Sequence, residues 1–342
     1  MQGTLMKPYK HQTGFSLVEL MIGLVIGLFI LLGVVLVYVS SARTTATNEA
    51  LSRVQESGRF GIFFLARDIR QAGFKSACQG EVNNLLDESS SAYDDALFNL
   101  DDPIIGWDDS AGDIAAQLPH YLRGDVLMLK SASRATGITG KDTTNFNPKQ
   151  SQISLTKNSG IAQGTILMIG NSTGCDVFQT TSNDNANNLN RDAGAAGITP
   201  GNKTGSQSWS VSNKDFDVFF FDSTAYYIGN GIGGQPALRR TRFNTGAAVD
   251  EELVNGIEDM QLLYGVDTDG DRTADNYVNA TAVTNWNRVV SVQVNLLAAS
   301  HATNVIDQPQ VLPAPWDTMA DPGDNRIRRV FTTTVGIRNR LP

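Results

Sequence analysis

Residues 14–39 read GFSLVELMIGLVIGLFILLGVVLVYV. From Leu20 to Val39 the run holds neither charge nor proline, and at about 1.5 Å per helical residue it spans roughly the 30 Å of a bilayer's hydrocarbon. It predicts a membrane-spanning helix with Glu19 as a lone carboxylate at its leading edge. Lys7 and Lys10 precede the run with no acid beside them, so the positive-inside tendency keeps the short N-terminus cytoplasmic and sends the bulk of the chain across. A charge in lipid costs about 2.5 to 3.5 kcal/mol at a helix centre and less near an end. Glu19 therefore needs a partner or a path to the headgroups.

Beyond the apolar run the helical period persists. Leu51, Val54, Gly58, Ile62, Leu65, Ile69 and Ala72 recur at steps of three or four, with Arg53, Glu56, Arg59, Arg67, Asp68 and Arg70 placed elsewhere around the helix. Gly73 supplies a stop. After it the pattern changes to β-rich runs, such as GDVLMLKSAS, GTILMIGN, FDVFFFDSTAYYIG and RVVSVQVNLLAAS, separated by Gly, Asn, Asp and Pro. In the last run Val290, Val292 and Val294 alternate with Val289, Ser291 and Gln293, the signature of a sheet with one apolar face. No strand–helix–strand rhythm appears. The expected fold class is α+β, a long N-terminal helix packed on an antiparallel β-sheet domain, with long loops at about 81–118 (acidic) and 181–212 (rich in Asn, Gly, Ser and Thr).

The charge of -8 and pI near 4.9 argue against a general nucleic-acid binder, which needs an excess of Lys and Arg on one face. Two cysteines, Cys78 and Cys175, lie far apart with no metal-ligand spacing. In an exported domain a bridge between them is favoured over two buried thiols. Closing so long a loop stabilises by up to ~4.7 kcal/mol in the chain-entropy account.

The stretch GFSLVELMIG, preceded by a short basic leader, resembles the class III signal of type IV prepilins and pseudopilins. The resemblance implies cleavage after Gly14, an N-methylated Phe15 as the new first residue, and Glu19 as the glutamate at the fifth mature position, which pairs with the α-ammonium of a neighbouring subunit during assembly. It divides the chain into a leader (1–14), a long helix (15–73, membrane segment about 20–39) and an exported domain (74–342). Further phrases resemble the PilW-type minor pilins: QESGRFGIFFLARDIRQAGF, AYYIGN, LVNGIEDMQLLYGVDTDGDRTADNYV and RRVFTTTVGIRNRLP. This implies a pilin-like fold and a low-abundance subunit that primes type IV pilus assembly, at or near the tip. Its partners would be other minor pilins, the major pilin, a prepilin peptidase/methyltransferase and an inner-membrane assembly platform. It would sit in the inner membrane before assembly and in the surface pilus afterwards, serving motility, adhesion or DNA uptake. A type II secretion pseudopilin shares the leader, and a tip adhesin or DNA-binding module is a further alternative. Gly23 and Gly27 give a GxxxG spacing for close helix approach. One departure is Leu36, where major pilins typically carry a mid-helix proline.

The stretch DTDGDRTAD places Asp267, Asp269, Asp271 and Asp275 at EF-hand-like positions, a candidate Ca²⁺ loop. The match then fails, since Arg272 occupies the glycine position and Val278 that of the bidentate Glu. The competing reading is a solvated acidic turn, and no cofactor is required by either. The arginines at 239, 240, 242, 326, 328, 329, 338 and 340 read as exposed strand positions paired with the many Asp residues, or as a subunit interface. With three histidines and no nucleophile elbow, P-loop or HExxH pattern, the sequence predicts no enzyme.

Overall fold

A computed structural model describes residues 14, 16–75, 78, 81–141, 146–211, 216–320 and 322–341. It contains two compact units, Met1–Ala50 and Leu51–Pro342, and one helix, α1 (Leu17–Gln71), runs through both. In the first unit Leu17 to Val39 are exposed around the whole circumference, for example Leu28 and Val37 on different sides. A helix apolar all round is one built for lipid, and among the described residues α1 alone is long and apolar enough to cross a membrane.

In the second unit α1 becomes amphipathic. Val54, Leu65, Ile69 and Ala72 are buried, each large one worth about 1.5 to 3 kcal/mol relative to exposure. Gly58 and Gly61 let the helix approach the sheet: a Cβ on Gly58 would lie 2.2 Å from the Phe331 ring, and one on Gly61 2.7 Å from Leu296. Gly73 ends the helix at φ 73°, its N–H donating to the Lys130 carbonyl at 2.9 Å. That is the left-handed conformation its position predicts.

The strands follow in order. They begin β1 (Asn83–Asn84), β2 (Ile104–Trp107), β3 (Tyr121–Thr139), β4 (Gln152–Ser154) and β5 (Ile166–Gly170). Next come β6 (Cys175–Gln179), β7 (Asn188–Asn190), β8 (Asp217–Asn230), β9 (Pro236–Arg242) and β10 (Val249–Asn255). The last are β11 (Ile257–Val266), β12 (Asn276–Val278), β13 (Val289–Ala299) and β14 (Arg328–Gly336). The larger sheet runs β1-β6-β5-β8-β3-β2, with β9 and β10 branching from β8; the smaller runs β12-β11-β13-β14, and β4-β7 form a separate ribbon. Pairing is antiparallel as expected, except for the short parallel pair β1–β6.

Strict alternation explains how the larger sheet buries both faces. Leu127 and Leu129 of β3 and Tyr226 and Ile228 of β8 face a core shared with α1 and the smaller sheet. Their neighbours Val126, Met128, Ala225 and Tyr227 face a second core. That second core corrects the reading of 81–118 as loop. The segment holds β1, β2 and a one-turn helix, α2 (Asp95–Phe98), and its Leu86, Leu97, Phe98 and Ile114 are buried against the sheet. Its acids occupy turn and cap positions, as Asp94 does by accepting from the Ala96 N–H at 2.8 Å, so acidity and burial coexist. Residues 181–212 likewise differ from a loose loop: they contain β7, and Trp209 and Val211 enter a third core with Phe178.

Candidate assembly site

Glu19 sits in the first turn of α1 and is not orphaned. Its Oε2 accepts the Ser16 backbone N–H at 3.0 Å, while the Ser16 Oγ accepts the Glu19 N–H at 3.2 Å. This reciprocal capping box satisfies two of the helix's unpaired donors. It gives the carboxylate one backbone donor in the lone subunit and does not neutralise its charge. The S-x-x-E spacing of Ser16 and Glu19 was the signal for it. One turn further on, Gly23 and Gly27 have nothing within 4 Å of their Cβ positions. With Glu19, Leu20, Leu24, Leu28 and Leu31 they form one side of the exposed helix, notched at the two glycines. The notch places the carboxylate beside a surface where another helix backbone can come close. Gly14 is exposed; Phe15, the other half of the expected processing junction, lies outside the described residues.

Just past the helix, Cys78 is bonded to Cys175 with Cα atoms 5.8 Å apart. The bridge ties the chain leaving α1 to the start of β6.

The acidic loop assembles in part. Asp267, Asp269 and Asp275 bring one carboxylate oxygen each within 4.8 Å of one another, a grouping that in principle could hold a divalent ion. Asp271 does not join them; it accepts the Thr273 N–H at 2.7 Å instead. The grouped carboxylates already have donors. Asp267 takes the N–H groups of Gly270 and Arg272 at 2.6 and 3.0 Å, and these backbone dipoles, Gly270 first, hold it below the ordinary carboxylate range. Asp275 is held low chiefly by the Thr268 hydroxyl. The fit to a cation is partial, because these donors stand where ligand lone pairs would point.

Three of the arginines are buried, against the reading as exposed strand positions. Arg239, Arg240 and Arg328 are each below a tenth exposed. Arg328 forks onto Glu258 at 2.6 and 3.1 Å and onto Asp324 at 2.8 and 2.7 Å, fastening the 301–327 excursion to the smaller sheet. Arg240 pairs Glu251 at 2.7 Å and approaches Asp68 of α1 at 3.7 Å. Such buried guanidinium pairs lose heavily if one partner is removed.

Residues 225–339 match the profile of the family described as Type IV Pilus-assembly protein W, and residues 9–35 match the prokaryotic N-terminal methylation motif. The two matches support a relation to the PilW, pilin-related family. No curated protein and no solved structure gives a significant match. The PilW match begins in β8 and covers the whole smaller sheet, whereas the second and third cores are built largely from residues before it. These matches point to an assembly protein of the pilin or pseudopilin type.

Asp125 and Lys130 are among the buried titratable groups that escaped the sequence reading. Asp125 of β3 is 2% exposed; its Oδ1 accepts the Asp109 N–H at 2.9 Å and its Oδ2 the Leu262 N–H at 2.7 Å. It thereby joins the larger sheet to β11 of the smaller. Burial first, then Asp108 and Asp109 nearby, push its pKa up to about 7. Lys130, on the same strand and fully buried, donates to the carbonyls of Asp95 and Ala96 at 3.2 and 2.7 Å. Burial lowers its pKa to about 7. Neither residue had a sequence signal beyond a charge interrupting an apolar strand.

Proposed function

We propose that this chain is a minor pilin that helps prime type IV pilus assembly and is incorporated at or near the tip. The observation that carries the reading is the placement of Glu19. It lies at the N-terminal end of a lipid-compatible helix, beside a glycine notch, in a segment matching the methylation motif and joined to a PilW-type domain. In this reading a peptidase removes residues 1–14, the Phe15 amine is methylated, and Glu19 exchanges part of its capping box for the ammonium of a neighbouring subunit. The exchange is favourable because two opposite charges brought together in lipid each relieve the other's desolvation. Other minor pilins, the major pilin and an inner-membrane platform are the partners, and ATP hydrolysis belongs to separate motors.

The test replaces Glu19 by Ala in the native chain and scores membrane insertion and surface pili separately. The expected outcome is normal insertion with pili strongly reduced. Normal piliation would remove the pairing role. Deleting the chain separates the two assembly systems that share this leader: loss of pili with protein secretion intact supports the minor pilin, and the reverse identifies a secretion pseudopilin.

A further inference from the structure

A polar cavity of about 170 Å³ lies between the end of α1 and the larger sheet, and the assembly role makes no use of it. Three guanidinium groups line it: Arg67 from α1, and Arg240 and Arg242, which share one face of β9 because they stand two residues apart. Two carboxylates oppose them, and each is already shared. Asp68 accepts the Arg67 Nε at 2.8 Å and the Tyr226 hydroxyl, and stands 3.7 Å from the Arg240 Nη1. The Glu251 Oε1 takes the Arg240 Nε at 2.7 Å and lies 3.0 Å from the Arg242 Nη2. A guanidinium carries five N–H donors. Among the described residues Arg67 therefore keeps both Nη groups without a hydrogen bond, Arg240 its Nη1, and Arg242 all but the Nη2 that faces Glu251. The third acid, Asp222, already accepts the Asn244 amide at 3.1 Å, and burial pushes its pKa up, which favours its neutral form.

The spare capacity is thus on the donor side, and it is cationic. Water accepts such donors but brings no charge, whereas three converging guanidiniums that share two carboxylates are relieved by an anion. Arginine forks match the oxygens of phosphate-like groups. A carboxylate offers two oxygens to three guanidiniums, while a tetrahedral oxyanion offers one to each. Size agrees: the cavity has room for several waters at roughly 30 Å³ apiece, yet falls below the roughly 300 Å³ at which drug-sized sites begin. We infer that this pocket binds one small tetrahedral oxyanion, a free sulfate or phosphate ion, held by Arg67, Arg240 and Arg242. The side chains of Arg67 and Arg242 are half exposed and form its mouth; that of Arg240, 9% exposed, forms its floor. The ion fastens the end of α1 to β9, and this role is independent of the pilus-assembly reading.

The test is isothermal titration calorimetry of the full chain in detergent, with sodium sulfate, sodium phosphate and sodium acetate as separate titrants at constant ionic strength. The expected result is saturable one-to-one binding of sulfate or phosphate, about tenfold or more tighter than acetate, and a melting temperature that rises with the same ion. Arg67→Gln and Arg242→Gln should each weaken binding about tenfold or more, the scale of a lost charge-assisted hydrogen bond. Both side chains are half exposed, so melting in chloride should change little. Asp222→Asn should bind at least as tightly as the parent. Absence of saturable binding by sulfate and phosphate, acetate binding as tightly as either, or arginine variants indistinguishable from the parent would each overturn the inference. Loss of binding in Asp222→Asn alone would mark a cation site and overturn it equally.

Discussion

Asp125 and Lys130 share β3 and titrate near neutrality in opposite senses. The folded chain binds the Asp125 proton up to about pH 7, whereas an unfolded carboxyl releases it near 4. Between those values the folded state holds more protons, so stability falls as pH rises. Lys130 keeps its proton only below about pH 7 when folded but up to about 10.4 when unfolded. Between those values the unfolded state holds more protons, so stability rises with pH. Thermal unfolding of the full chain in detergent should therefore show a shallow minimum in stability near pH 7, with each limb on the order of a few kcal/mol. Asp125→Asn should flatten the acid limb. It should also cost about 1 to 3 kcal/mol, since an amide can accept only one of the two N–H groups and turns a donor toward the other. Lys130→Met should flatten the alkaline limb. A profile that keeps both limbs in both variants would show that other groups set it.

At the scale of elements, the contact between α1 and the smaller sheet depends on missing side chains. Gly58→Ala gains about 1 kcal/mol in helix propensity, but its methyl enters the Phe331 ring. A net loss of about 1 to 3 kcal/mol is expected from overpacking. Phe331→Leu in the same chain should recover part of the loss, as denaturant midpoints would reveal; stabilisation by Gly58→Ala alone would contradict the packing. The elements also mark how far the sequence could be read. α1 was legible because two independent periods, continuous apolarity and then an amphipathic stripe, coincide with a glycine stop. β13 was legible because Val292, Val294 and Leu296 alternate into the core, although at its start Val289 and not Val290 joins them, where the pairing with β11 shifts register. Residues 81–118 were not, because the sparse Leu86, Leu97 and Ile114 acquire meaning only against a sheet face completed by strands that come later in the chain. The same holds for Asp125, whose partner Leu262 is distant in sequence: the N–H it satisfies is exposed by a strand edge that no local pattern reveals. Ser16, by contrast, stood in plain view three residues before Glu19.

For the whole molecule, two additions bound the behaviour. Reducing the Cys78–Cys175 bridge should lower stability by about 2 to 5 kcal/mol, the usual loss for a native disulfide in an exported domain, read as a drop in melting temperature under dithiothreitol. Calcium should raise the melting temperature only if the Asp267, Asp269 and Asp275 group binds it, by mass action that grows with free ion. A melting temperature indifferent to both calcium and chelator would assign those residues to a self-satisfied turn. Asp269→Ala, whose carboxylate is exposed, should abolish any calcium effect with little cost in its absence.

The bridge has a mechanical side as well. In the filament role proposed above, a pull along the fibre enters each subunit through α1 and reaches Cys78 within a few residues of the helix end. There the covalent link to Cys175 hands the load to β6, and the segment between the two cysteines, a separation of 97 residues, is shunted out of the tension path. The part of the second core contributed by residues between the two cysteines can then unfold locally without lengthening a subunit under force.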